Sequence, residues 1–306
     1  MSRCVVVAMS GGVDSSVAAA LLRERGDDVM GIGLRFPAAT DPRGLGTCCG
    51  MAGMQDARRV ASGLGIPFYV LDYRDLFERE VVEPFCRAYA RGETPNPCIL
   101  CNVQLKFGRL LDAALAMGAE YVATGHYARL IPDADTGGLQ LLKGSDRERD
   151  QSYFLYALTP HQMEHALFPV GELTKPQVRA IAARLGLPVA HKPGSQDICF
   201  VGSGGYRAFV AAREPGAWQA GPIMDGAGRV LGQHRGIAGF TLGQRQGLGI
   251  AAREPLYVIA LDPARNAVIV GPKAETFTSS VALDHVTWLA DDPPQEPQHL
   301  AVKTRY

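Results

Sequence analysis

Cys4-Val5-Val6-Val7-Ala8-Met9-Ser10-Gly11-Gly12-Val13-Asp14-Ser15-Ser16 is the stretch that decides the fold. An apolar β-rich run is followed by a turn with two adjacent glycines, and a helical pattern then covers 16–25. Strand, glycine turn and helix together make a phosphate cradle. The glycines let backbone N–H groups approach an anion unobstructed, and the helix N-terminus adds unsatisfied donors and the positive end of its dipole. No lysine follows the glycines, so this is not the G-x-x-x-x-G-K-[ST] loop that grips a transferring γ-phosphate. It offers instead an acid, Asp14, and three hydroxyls, Ser10, Ser15 and Ser16. That set suits the pyrophosphate end of ATP, with Asp14 placed to help hold Mg2+. A lone glycine pair would be an ordinary turn; the whole string in this setting points to cleavage at the α-phosphate, leaving an adenylate and pyrophosphate.

Outward from this unit, strand and helix alternate. β-rich runs at 5–9, 29–36, 68–71 and 121–124 are separated by helical patterns at 16–25, 54–62, 76–91 and 103–117, each closed by a nearby glycine. Pro84 predicts a kink or a later start in the third helix. The alternation predicts an α/β fold with a doubly wound parallel sheet, whose ligands bind beyond the carboxyl ends of the strands. The cradle and Gly125-His126 both fall on that edge. Thr174-Lys175-Pro176 starts a further helix ending near Gly186.

From about Gly202 glycine becomes frequent and helical periodicity fades. Short β-like runs at 239–241, 257–261, 267–270 and 281–283 follow, with Asp262-Pro263-Ala264-Arg265-Asn266 as a hairpin connection. The expected division is a catalytic domain at 1–202, a small mixed domain at 203–272 and an incomplete β-barrel at 273–306. The last strand expected there, 300–306, runs straight into the chain end.

The 306 residues are 47% apolar and 20% charged, the composition of a globular chain. No apolar run reaches the ~20 residues that span a bilayer, and no secretory leader precedes the first strand, so a cytoplasmic protein is expected. Lys plus Arg and Asp plus Glu both number 31, which argues against indiscriminate nucleic-acid binding. Local distribution differs: the acid-free stretch 226–253 carries Arg229, Arg235, Arg245, Arg253 and His234, and Lys143, Arg147 and Arg149 form a second cluster. These fit either a grip on a polyanion or a solvated face.

Seven cysteines are present. Cys98 and Cys101 sit in a proline-stiffened loop, with Asn102 as the expected N-cap of the following helix, which would put Cys101 beside a donor-rich helix start that favours the thiolate. Cys199 lies in a loop far along the chain. Thiols near a nucleotide site suggest sulfur transfer, one as a persulfide carrier and another resolving it as a disulfide. Only one C-x-x-C exists, which disfavours structural zinc, whereas an iron–sulfur cluster held by Cys98, Cys101 and Cys199 stays chemically open. Cys4 and Cys86 are expected to be inert, and Cys48-Cys49 carry no assignable role.

These residues resemble the tRNA-specific 2-thiouridylases, ATP pyrophosphatases of the PP-loop type. The resemblance rests on 9–16, 94–102, Lys106-Phe107, 123–127, 150–156, 168–173, 198–200, 241–245, 247–249 and 302–306, in the family's order. It implies ATP-dependent 2-thiolation of the wobble uridine of tRNA. ATP contacts are implied at Ala8, Met9, Ser10, Gly11, Gly12, Val13, Asp14, Ser15, Leu34 and Gly125. Cys101 matches the nucleophile and Cys199 the persulfide carrier. Asn96, Pro97 and Cys98 match the loop that meets the base, and His126, Arg149, Asp150, Gln151, Arg305 and Tyr306 match tRNA contacts. A sulfur-relay protein or cysteine desulfurase is implied as donor. Cys98 stands where some members have aspartate, and members continue beyond the Lys303-Thr304-Arg305-Tyr306 string. Two rival readings differ in kind: an ammonia-using adenylate-forming synthetase, which needs neither Cys101 nor Cys199, and a noncatalytic tRNA-binding protein.

Overall fold

A computed structural model describes residues 2–37, 51–134, 137–194, 198–289 and 294–303. Cys48, Cys49, Arg305 and Tyr306 lie outside the described residues. The chain divides into two compact units, each treated by itself: Met1–Glu78 with Cys98–Phe200 and Val286–Tyr306, and Arg79–Pro97 with Val201–His285.

The first unit is built on β1 (Cys4–Ala8), β2 (Asp28–Arg35), β3 (Phe68–Asp72) and β4 (Tyr121–Ala123). An antiparallel pair follows, β5 (Ala128–Pro132) with β6 (Leu139–Lys143), and then a short strand, β7 (Ala166–Leu167). The main sheet runs β3-β2-β1-β4-β7 and every pairing in it is parallel. This is the expected doubly wound arrangement. Val5, Val6 and Val7 are all fully buried, as a central strand covered on both faces requires. Val5, Val7 and Met9 pack with the helix α1 (Val13–Glu24), with α2 (Met51–Leu64), and with Val178 and Ala182 of the helix Lys175–Arg184.

Two helices depart from the expected pattern. The stretch expected at 76–91 is three pieces: α-helix Arg74–Phe77, a π-turn Glu78–Val82 and α-helix Glu83–Ala90. Pro84 lies in the first turn of the last piece, where its missing N–H is tolerated. The stretch expected from 103 begins earlier, as Pro97–Leu100, passes through a π-helix at Cys101–Arg109 and ends as Leu110–Ala116. Proline at the first position presets the helical φ. Asn102 is therefore inside the helix and is not its N-cap.

The second unit holds a mixed four-stranded sheet: β8 (Gly221–Asp225), β9 (Val230–His234), β10 (Tyr257–Asp262) and β11 (Ala267–Gly271), in the order β10-β11-β8-β9. The β10–β11 hairpin turns as expected, with Asn266 in the left-handed region at φ 47°. Ile223, Val258, Val268 and Val270 make its core, with Ile237, Phe240 and Leu248. The run expected as a strand at 239–241 starts instead inside a 3-10 turn, Ile237–Gly239. Residues 281–283 and 300–303 form no strand either; Val281, Leu283, Leu300 and Val302 are exposed and no ladder takes up their backbone groups among the described residues.

Candidate active site

A cavity of about 410 Å3 opens at the carboxyl ends of β1, β2 and β4. One wall is the glycine turn and the start of α1. Gly12 is the N-cap of α1 and brings no capping side chain, so it leaves the first-turn N–H groups available to an anion. Gly11 stands at φ 73°, and a Cβ there would run into the Gly53 carbonyl oxygen of α2, so only glycine fits. Gly125, after β4, is equally constrained by space: a Cβ would lie 2.5 Å from the Ser15 nitrogen. Two backbone segments thus touch at the cradle without a side chain between them.

Ala8, Met9, Ser10, Gly12, Val13, Asp14, Ser15, Leu34 and Gly125, all expected at the nucleotide, line this cavity. Gly11, the tenth, is not among the lining residues. Of the three expected hydroxyls, Ser10 and Ser15 face each other at 3.4 Å. Ser16 is buried and turns its hydroxyl back to the Gly12 carbonyl at 2.8 Å, so it serves the helix start and not a ligand. Ile32, Leu34 and Phe36 add an apolar wall. Phe36 stacks on Phe77 at 4.3 Å between ring centroids, and Phe77 meets Phe200 edge-on at 5.4 Å.

The cations of the site come from residues far from the glycines in sequence. Lys175 donates to both Asp14 oxygens, at 2.6 and 2.7 Å, and the Tyr127 hydroxyl donates to Oδ1 at 2.7 Å. Burial first, and then the Asp14 charge and this hydrogen bond, push the Tyr127 phenol far up, so it stays a donor. Lys192 lines the cavity and donates to the Gly11 carbonyl at 2.9 Å and to Asp56 at 2.8 Å. Lys106 also lines it and donates to Asn102 Oδ1 at 3.0 Å. No role was expected for these four side chains. Their signal in the sequence is weak: Lys175 marks only a helix start, and Lys192 only precedes a proline. Asp14 and the Ser10 and Ser15 hydroxyls are the hard oxygen donors that a Mg2+ ion accompanying ATP prefers, with Lys175 already compensating the carboxylate.

His126 and Gln151 line the same cavity. His126 is buried, shares a 2.7 Å hydrogen bond with Thr124 Oγ1, and meets Phe168 edge-on. Burial, reinforced by the charge of Lys106, holds its imidazole well below the usual range, so it is neutral near pH 7. Gln151 is clamped to Tyr127 by a backbone bond of 2.8 Å and by its side-chain oxygen at 3.0 Å. Asp150 is buried, and its carboxylate accepts from Gly144 N, Ser152 N and Ser152 Oγ at 3.0–3.1 Å. It fixes the loop that presents Gln151, while Arg149, Lys143 and Arg147 are exposed.

Cys98 is exposed, Cys101 buried and Cys199 half-buried. Cys101 stands one turn inside the helical stretch, because the helix starts at Pro97 and not after Asn102. The donor-rich start expected beside it is therefore displaced. Asn102 is buried and ties this π-helical segment to Phe154 O at 2.9 Å. π-Segments of this kind recur at functional sites. In the second unit the expected basic stretch is partly engaged: Arg229 pairs with Asp225 at 3.1 Å, and His234 is buried between the Asn266 carbonyl and Gly236 N. Arg235, Arg245 and Arg253 remain exposed. No helix among the described residues is long and apolar enough to cross a membrane.

Residues 3–203 match the family described as the tRNA methyl transferase HUP domain, and residues 207–272 match the tRNA methyl transferase PRC-barrel domain. Among curated relatives, the tRNA-specific 2-thiouridylase MnmA of Moorella thermoacetica is 55% identical over 272 residues, covering 88% of this chain and 76% of its own. The protein of the same name from Heliobacterium modesticaldum is 49% identical over 308 residues, covering 100% and 80%. That from Parvibaculum lavamentivorans is 51% identical over 312 residues, covering 98% and 77%.

Proposed function

The chain belongs to the tRNA-specific 2-thiouridylase family, and from that premise we propose how its residues divide the work of ATP-dependent 2-thiolation of a wobble uridine in tRNA. ATP lies with its base against Ile32, Leu34 and Phe36 and its phosphates on the turn at 10–15 and the first N–H groups of α1. Lys192 and Lys106 balance the phosphate charge from outside the turn. Bound Mg2+, held by Asp14 with the neighbouring hydroxyls, would neutralise charge that builds on the departing pyrophosphate.

The uridine is turned out of the anticodon stack, as chemistry on a base requires. Asn96, Pro97 and Cys98 receive it, while His126, Arg149, Asp150, Gln151, Arg305 and Tyr306 hold the tRNA, Asp150 acting through the loop it fixes. The uridine 2-oxygen attacks the α-phosphorus; the O–P bond forms as pyrophosphate leaves with the electron pair. A persulfide on Cys199 then supplies sulfur to C2, either directly or as sulfide released when the Cys101 thiolate attacks. The C–O bond to AMP breaks, and Cys101 and Cys199 end as a disulfide that an external thiol reduces. A sulfur-relay protein or cysteine desulfurase recharges Cys199. We assign the chemistry to residues 1–202, with 203–272 and 273–306 as separate parts, and the reaction to the cytoplasm.

One observation carries the reading: Phe36, in the wall of the nucleotide cavity, begins an aromatic series through Phe77 to Phe200, and Phe200 is bonded to Cys199. This series supports the carrier role of Cys199 by tying its chain neighbour to the wall of the proposed activation site. Cys199→Ser is expected to abolish thiolation while tRNA-dependent pyrophosphate release persists. Full thiolation in that variant would remove the persulfide from Cys199. Pyrophosphate release that ignores tRNA would point to an ammonia-using synthetase instead.

A further inference from the structure

We propose that His161, Glu164 and His165 form a binding site for a late first-row divalent cation of the zinc or nickel type, separate from the nucleotide cavity. One ligand atom from each of these side chains lies within 4.8 Å of the others. The two histidines are one helical turn apart, four residues along the chain, which sets both rings on the same face. Their ring centroids are 4.9 Å apart. Two imidazole nitrogens and one carboxylate oxygen are the donors of an open three-ligand site, with water completing the shell.

The backbone that carries them is fixed on its other side. Thr159 and Gln162 form a reciprocal capping box at the start of the helix Pro160–Glu164. Gln162 also donates to Val103 O at 3.0 Å, and Met163 is buried. Residues 162 and 163 thus anchor the helix, leaving His161 and Glu164 exposed and His165 half-buried. The exposed side chains are free to draw in by the ~1 Å that metal–nitrogen bonds of about 2.1 Å require.

His165 supplies the second observation. Its Nδ1 lies 2.8 Å from the Glu120 carbonyl oxygen. A carbonyl only accepts, so Nδ1 carries the hydrogen and the lone pair of the neutral ring is at Nε2. An imidazole whose second nitrogen donates to a backbone carbonyl is the usual arrangement of a metal-ligating histidine, since it sets the tautomer and the ring orientation. Nitrogen donors favour borderline cations over Mg2+ or Ca2+, which take oxygen shells.

The test is zinc titration of the full chain, stripped with chelator and kept reduced, beside His161→Gln, His165→Gln and the double variant. Native thermal midpoints without metal establish that the variants fold. Zinc taken up by cysteine thiols would be common to all samples, so the readout is the difference. Each single variant should weaken one equivalent of zinc at least about tenfold, and the double variant should lose it. The zinc-induced rise in thermal midpoint should shrink in parallel. Equal stoichiometry and affinity in native and double-variant protein overturns the proposal. Displacement of that equivalent by millimolar Mg2+ overturns the assignment of cation class.

Discussion

The glycine cradle and the thiol-bearing segments of the same unit are built in opposite ways. Around the cradle, a central strand, a regular helix and the Gly125 segment touch backbone to backbone, and the Lys175–Asp14 and Lys192–Asp56 ion pairs close it. Cys101 instead stands on a π-helix, and Cys199 on irregular backbone anchored by the neighbouring Phe200. Adenylation is a positioning problem, in which misplacement by an ångström is expensive. In the proposed roles, a sulfur carrier at Cys199 has to meet a donor, a base and a second thiol in turn, which a looser mount would serve better. The contrast predicts that small backbone intrusions damage activation, whereas changes near the thiols damage delivery.

Gly125→Ala should produce the largest effect. Its Cβ would meet backbone, not a side chain that can swing away, so the cradle itself has to shift. Pyrophosphate release should lose about 100-fold in kcat/KM for ATP. A loss below threefold would show that the cradle yields as easily as the thiol segments, and the contrast would fail.

Lys175→Met comes next. It removes the cation from Asp14 and leaves the Tyr127 hydroxyl on the carboxylate. The pair is only partly buried, so the stability loss should be about 1–2 kcal/mol, read by urea unfolding. Pyrophosphate release should fall about tenfold, since a displaced Asp14 disturbs the first turn of α1. An unchanged rate with lowered stability would make Lys175 a structural clamp alone.

What the sequence made legible follows the same division. The strand–turn–helix unit and the parallel sheet are legible because local spacing and backbone chemistry dictate them, whereas the ten ATP contacts come from the family resemblance, and nine of those residues line the cavity. Tyr127, Lys175 and Lys192 are not legible, because their role comes from tertiary approach and no short-range pattern encodes it. The π-helix at Cys101–Arg109 was also hidden: periodicity separates helix from strand, not one helical hydrogen-bond step from another. The expected ligand role of the Ser16 hydroxyl is not what the structure shows, because a string of hydroxyls does not say which one is buried and donates back to its own helix.

Asn102→Leu probes the looser side. It removes the bond to Phe154 O and the acceptor beside Lys106 while keeping the volume of the segment. Thiolation should fall about fivefold to tenfold, in keeping with roughly 1 kcal/mol for the bond to Phe154 O, and pyrophosphate release should change less. Equal losses in both would tie the π-helix to the cradle and not to sulfur delivery.

The smallest effect is a pH dependence of stability set inside the cradle wall. His126 has its pKa depressed by burial and then by the charge of Lys106, whereas the unfolded chain returns it to about 6.5. Below that pH the unfolded state binds a proton that the native state refuses, so stability falls as pH drops; above it the contribution is fully present. The limiting slope is about 1.4 kcal/mol per pH unit for this residue. Native protein unfolded in urea at pH 7.5, 6.5, 5.5 and 5.0 should lose stability only over the last intervals. His126→Gln, which cannot titrate, should reduce the slope there. If the slope persists, the acid sensitivity belongs to other groups, such as His234, whose pKa burial also lowers in the second unit. The tightly packed cradle would then not be where acid acts first.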